Sequence, residues 1–389
     1  MMWFRCLALG AAVAAFWFSG AGCDKPPDVP HNTPPTILIT SGPDGAVSSD
    51  TVRFEWQGQD ADGNLAGYRY GIDDSTPDVA TESLGVTFVG LAWGAHDFYV
   101  QAVDDSGARS VAAVRSFSAQ HLYPVAPRGT DTTFDLAEWN IENMPKSEAT
   151  VAQLQMLIPG LGLDLYAIEE IADTIAFRQV LSGITGYAGL FSADDYGSFY
   201  QKTGVIYRQS TVSVANVHQL FWGNGAFPRP PLEMSVTASH NGGTFDFRLI
   251  VLHLKAGGAS ADEEKRRAAC VALKSYIDAQ VSAGADSDFV VVGDWNDELD
   301  DARADNVFLP FLDDSTDYRF LTLPMAGDSH NASYIGGGLI DHVLVTANAL
   351  DEYGAGYTAT LRLDDELPDY QAQVSDHRPV MSVFPVFRP

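Results

Sequence analysis

The stretch DFVVVGDWND, residues 288–297, carries an apolar run from Phe289 to Val292 into an abrupt polar end at Gly293, Asp294, Trp295, Asn296 and Asp297. A run this short and β-branched predicts a buried strand, and residues two apart on the emerging backbone share a side. Asp294 and Asn296 therefore leave the strand together. One is an acceptor-only carboxylate, the other an amide that donates and accepts. Such a pair begins a metal or phosphate site, and hard oxygen donors suit Mg²⁺, Mn²⁺ or Ca²⁺ rather than zinc.

The same plan recurs along the second part of the chain. FDLAEWNIENM runs into Trp139 and Asn140, LDLYAIEEI into Glu169 and Glu170, and FDFRLIVLHLK into His253 and Lys255. GLIDHVLVT carries Asp341 and His342, and SDHRPVMSVF carries Asp376 and His377. His342 should face away from Asp341 and serve the core. Between these runs, Val151, Leu154, Leu157 and Ile158 have helical spacing. A second helix is expected to open on a Ser260–Glu263 capping box and to bury Ala269, Cys270, Leu273 and Ile277 on one face. Apolar strands that repeatedly end in polar groups predict a two-sheet α/β sandwich whose rim holds a site.

The 389 residues, 46 % of them apolar, suffice for one large core and a smaller second one. The net charge of −28 repels nucleic acid and anionic lipid at long range unless salt or bound cations screen it. Residues 1–22 read as a signal peptide: Arg5 in the n-region, a short apolar h-region, and SGAG at the cleavage site. With Cys6 removed and Cys23 next to the cleavage site, only Cys270 remains, so no disulfide framework is expected. Residues 23–35 form a proline-dense tether. Residues 36–119 are short β-rich runs between Gly, Asp, Asn and Ser turns, as in an all-β sandwich, with Trp56 as a core anchor. Asp60, Asp62 and Asn64 read as a tight turn. Residues 120–131 are a linker and 132–389 the α/β unit.

Two resemblances accompany the N-terminal reading. Cys23 after its small-residue site is similar to the lipidated cysteine of bacterial lipoproteins, although Gly20 stands where their Leu is usual. This implies export and a lipid anchor in the cell envelope, with a secreted soluble chain as the alternative. FEWQGQDADGNLAGYRYGID and HDFYVQAVDDSGARS resemble fibronectin type III or immunoglobulin-like modules, implying a spacer or adhesive sandwich.

WNIEN (139–143), DLYAIEEI (164–171), LHLK (252–255), GDWND (293–297), LIDHVLV (339–345) and SDHRPV (375–380), in this order, resemble the endonuclease/exonuclease/phosphatase superfamily. The resemblance implies a four-layered DNase I-like β-sandwich and metal-dependent hydrolysis of a phosphodiester. It implies Glu170, Asp376 and Asn140 at the metal, with Glu169 replacing the family's glutamine. His377 is implied as general base, its tautomer fixed by Asp341, and His253 as a ligand of the leaving oxygen. Asp294 and Asn296 would position water and phosphate, and Lys255 would contact phosphate. The substrate stays open. A nuclease acting on DNA or RNA fits best; a sphingomyelinase-like enzyme of lipid or small phosphoesters is the alternative, and a non-catalytic adhesion lipoprotein the competing class. Nothing in the sequence calls for an obligate oligomer.

Overall fold

The computed structural model describes residues 31–119, 122–193, 201–284 and 286–388. The expected signal segment, Cys23 and most of the tether lie outside them.

The first unit is all β: β1 (Thr36–Ser41), β2 (Gly45–Val47), β3 (Val52–Gln59), β4 (Leu65–Ile72), β5 (Val79–Thr81), β6 (Gly85–Phe88), β7 (Gly94–Asp104) and β8 (Ala113–Ala119). They make a three-stranded sheet, β1-β3-β6, and a five-stranded one, β2-β8-β7-β4-β5. Alternation along β3 and β7 turns Phe54, Trp56, Phe98 and Val100 into one shared core. Phe54 stacks on Phe98 with centroids 4.1 Å apart. The Asp60–Asn64 segment is a turn in which the Asp62 amide donates to Asp60 Oδ1 at 3.3 Å.

The second unit mixes strands and helices. Its strands are β9 (Phe134–Met144), β10 (Leu165–Ile171), β11 (Tyr187–Phe191), β12 (Lys202–Arg208), β13 (Val212–Gln219), β14 (Leu232–His240), β15 (Gly243–His253), β16 (Phe289–Asp294), β17 (Tyr318–Phe320), β18 (Asp341–Thr346), β19 (Tyr357–Thr360) and β20 (Val380–Phe384). They form two six-stranded sheets, β11-β12-β10-β9-β20-β19 and β13-β14-β15-β16-β18-β17. Phe134, Leu136 and Leu165 of the first meet Leu249, Val251, Val290 and Val343 of the second in a dry interior. The helices α1 (Thr150–Leu161) and α2 (Thr174–Gly183) cover the outer face of the first sheet. The long α3 (Ser260–Ser282) covers that of the second, with Cys270 buried beneath it. The result is four layers, helix, sheet, sheet and helix, built on the two sheets that the strand pattern predicts.

One expected detail differs. The capping box at Ser260 does not form: Ala259 occupies the cap position and no side chain caps the helix. Asp262 instead lies 3.2 Å from the Lys255 ammonium, and that charge pair occupies the first turn.

Topology explains why one rim collects the polar residues. Each sheet has a central parallel pair, β9–β10 joined through α1 and β15–β16 joined through α3, so the carboxyl ends of these four strands emerge together. The strands β18 and β20 run antiparallel to β16 and β9, so their first residues lie at the same edge. Asp294 sits directly opposite Asp341 in register.

Candidate active site

The period of two along each strand sets the site. Phe134 and Leu136, Phe247, Leu249 and Val251, Val290 and Val292, and Val343 all face between the sheets. Continuing each series outward gives Glu138 and Asn140 on β9, His253 on β15, Asp294 on β16 and Asp341 on β18. On β10 the series reaches Glu169, and Glu170 then leaves it through a left-handed backbone with φ of 61° at the bulge before Ile171. The polar centre is thus the top layer of the hydrophobic core.

His377 and Asp341 are paired there, with Nδ1 2.8 Å from Asp341 Oδ2. The other ring nitrogen faces Asp376 Oδ1 at 3.9 Å and Asp294 Oδ2 at 4.0 Å. His377 is anchored through its backbone as well: its amide donates to Ser375 Oγ at 2.9 Å, and Ser375 Oγ donates to the Asn140 carbonyl at 2.6 Å. Its carbonyl accepts from Tyr370 Oη, which itself accepts from Trp139 Nε1. Burial works against a charged imidazole, but the hydrogen bond and charge of Asp341, with the charges of Asp294 and Asp376, raise its pKa to about 10.

Asp294 is the hub. Its Oδ2 accepts from Asn140 Nδ2 at 3.1 Å and stands 3.4 Å from His253 Nε2, while Oδ1 accepts the Asn296 amide at 2.9 Å. Burial and the Asp341 charge push its pKa up to about 7, against the opposing pull of His377. Burial, then the charges of Arg229 and His377, hold the pKa of His253 well below the ordinary imidazole range, so it is neutral. Glu170 Oε1 lies 3.8 Å from His253 Nε2, and its Oε2 accepts from the Asn143 amide and Gln201 Nε2, both at 2.9 Å.

The residues named from sequence are therefore brought together with two exceptions. Lys255 turns to Asp262 and the Ala256 carbonyl, away from the cluster. Asn296, with φ of 55°, donates its side-chain amide to the Leu254 carbonyl at 3.3 Å and fixes the loop from behind. Asn140 spends its amide nitrogen on Asp294 and its oxygen on the Glu142 backbone at 3.0 Å, which makes it an orienting group for Asp294. The Asp376 amide donates to Glu142 Oε2 at 2.8 Å, and burial followed by the Glu142 carboxyl moves the Asp376 pKa to about 6.

Arg229, Glu138 and Glu169 also stand at this centre. Arg229 donates to Gln201 Oε1, and Gln201 in turn contacts Glu170, so a guanidinium stands beside the centre. Glu138 and Glu169 are fully buried on neighbouring parallel strands, and neither accepts a hydrogen bond from another donor among the described residues. Burial, with the charges of Asp341 and Asp294, pushes both well above the carboxylate range.

A hard divalent cation fits this donor set. Asp294, Asp341 and His377 each bring a ligand-type atom within 4.8 Å of the others, and Asp341 Oδ1 is buried without a hydrogen-bond partner. The orphaned oxygen and the surplus of carboxylates are the features a cation would relieve.

No protein-family model and no curated protein matches the sequence. Among solved structures, the chain is similar to an endonuclease/exonuclease/phosphatase family protein from Bacteroides thetaiotaomicron at 14 % identity, over 65 % of this chain and 95 % of that one, with a TM-score of 0.48. It is also similar to D. rerio TDP2, solved with a single-strand DNA product, at 13 % identity, over 65 % and 99 % of the two chains, TM-score 0.47. A mannosyl-6-phosphatase of Bacteroides thetaiotaomicron aligns at 13 % identity, over 64 % and 98 %, TM-score 0.46. At such values the chemistry has to be argued from the side chains.

Proposed function

We propose that the second unit is a metal-dependent phosphodiester hydrolase acting on nucleic acid. The observation that carries this reading is the His377–Asp341 pair at 2.8 Å, with its free imidazole edge turned toward a cluster of buried carboxylates. Asp341 holds the imidazole in one tautomer and supports its positive charge, the arrangement a general base requires. Asp294 and the unpartnered Oδ1 of Asp341, with Glu170 and Asp376 at the same rim, would hold Mg²⁺, or Mn²⁺ or Ca²⁺, and the cation would supply charge neutralisation at the phosphoryl oxygens. The same cation would offset the carboxylate charge that raises His377, bringing the imidazole toward the neutral form a base needs. His253, kept neutral, donates a hydrogen bond to the phosphate or leaving oxygen, Asn140 fixes Asp294, and Arg229 contributes the local positive charge.

The −28 net charge favours a second reading, since a polyanion is repelled where a small phosphoester is not. One assay separates the readings: the mature chain with Mg²⁺ or Mn²⁺, or with EDTA, against plasmid DNA, RNA, sphingomyelin and bis(p-nitrophenyl) phosphate. Cleavage of DNA or RNA that EDTA abolishes supports the nuclease. Turnover of lipid or the small ester alone selects the second reading, and no turnover returns the chain to the adhesion class. For the first unit, the β1-β3-β6 and β2-β8-β7-β4-β5 sheets support a fibronectin-like spacer. We place the protein in the cell envelope through a lipid on Cys23, or else free and secreted; radiolabelled palmitate incorporation into the chain and its Cys23→Ala variant distinguishes the two.

A further inference from the structure

The segment before β18 runs alongside the one before β20. The Ile335 amide donates to the Asp376 carbonyl at 2.8 Å, and the Arg378 amide to the Ser333 carbonyl at 2.7 Å. This short antiparallel bridge pairs Tyr334 with His377. The two rings lie with centroids 5.2 Å apart at 48°, and Tyr334 remains 39 % exposed at the edge of the buried centre. Its ring also rests on Gly337, where an added Cβ would meet Tyr334 Cδ1 at 2.4 Å. Gly337 lacks the left-handed φ that would itself demand glycine, so the close approach of the ring is the local constraint at that position. The other residues gathered at the centre are carboxylates, amides, imidazoles and the Arg229 guanidinium.

We infer that Tyr334 is a substrate-stacking residue, which selects phosphoesters carrying a nucleobase next to the phosphate. This rests on the phosphodiester reading and supplies its substrate class. An exposed aromatic face beside the reacting group attracts any base through its π-face, without the positive charge that this acidic chain lacks. It also accounts for how a polyanion could be held here: single bases grip the rim one at a time, so little of the binding has to come from phosphate neutralisation.

The test compares thymidine 5′-(p-nitrophenyl phosphate) with methyl p-nitrophenyl phosphate, using the wild-type chain, Tyr334→Ala, Tyr334→Trp and Gly337→Ala. Stacking predicts that Tyr334→Ala raises KM for the nucleoside ester on the order of 10-fold. The methyl ester and the pH profile should stay unchanged, and Tyr334→Trp should retain the preference. Gly337→Ala, which displaces the ring while keeping it, should shift the nucleoside ester in the same direction as Tyr334→Ala. Equal losses on both esters, or a moved pH profile, would assign Tyr334 to support of His377 and overturn the inference. Calorimetric binding of thymidine 5′-monophosphate against methyl phosphate separates this failure from failure of the hydrolase reading. A preference for the nucleotide that Tyr334→Ala abolishes upholds the stacking role even in a chain that turns over neither ester, and no preference refutes it.

Discussion

Asn140 donates from Nδ2 to Asp294 Oδ2 at 3.1 Å, and this bond ties the rim of one sheet to the rim of the other. Asn140→Ala is expected to leave the fold intact and lower kcat by about 10- to 100-fold, the range for loss of a group that holds a site residue. Asn140→Asp should melt lower than Asn140→Ala in EDTA, because it sets a second carboxylate against Asp294. Steady-state kinetics together with thermal melts of both variants check this.

The His377–Asp341 pair is expected to behave as one unit. His377→Ala and Asp341→Asn should each reduce kcat by about 10²- to 10⁴-fold. The double variant should fall little further than the worse single one. Multiplicative losses in a double-mutant cycle would show that the two act separately.

Protonation and metal should trade places in stability. Asp294 and His377 both have raised folded-state pKa values, about 7 and about 10 against 3.8 and 6.5. Both bind protons more tightly when folded, so the stability they contribute is fully present at low pH. It is lost as pH rises, through roughly 4 to 7 for Asp294 and 6.5 to 10 for His377. The Tm in EDTA should therefore fall between pH 5 and pH 9, and added Mg²⁺ should raise it most at the alkaline end. A flat EDTA profile would contradict the assignment.

Replacing Glu169 by Gln should be well tolerated. The amide can donate to Glu138, so metal-free stability at alkaline pH is expected to rise, by an amount on the order of 1–3 kcal/mol for a relieved buried charge. A melt of the single variant at pH 8 tests it. Loss of folding would mean that the pair needs its second carboxyl.

The two cations near the rim should differ sharply. Lys255→Ala is predicted to change kcat/KM less than about 3-fold, since an exposed pair such as Lys255 with Asp262 contributes ~1 kcal/mol or less. Arg229→Ala should reduce it about 10-fold or more. Initial rates at low substrate concentration distinguish them.

Much of this arrangement could be read in the sequence because a strand broadcasts its burial. The alternation through Phe245, Phe247, Leu249 and Val251 points straight at His253, and the β-branched run before Asp294 admits only a buried strand. What stayed hidden depends on which partner a side chain chooses. Lys255 has the right position for a phosphate contact but finds Asp262 first. Glu138 lies inside its strand, not at the end, and only the approach of β10 and the second sheet makes it part of the centre. Arg229 and Tyr334 come from irregular segments, where no period announces which way a residue faces.

The neighbour of β9 in the first sheet is β20, with Val380 opposite Glu138. Strands so distant in the chain pair late, because the loop between them must close before any of their hydrogen bonds form. On the ribosome, Asn140 and Glu170 emerge long before His377, and the proposed centre is without its imidazole until the segment leading into β20 has docked. Recovery of the proposed activity on refolding should then report the closing of β20 against β9.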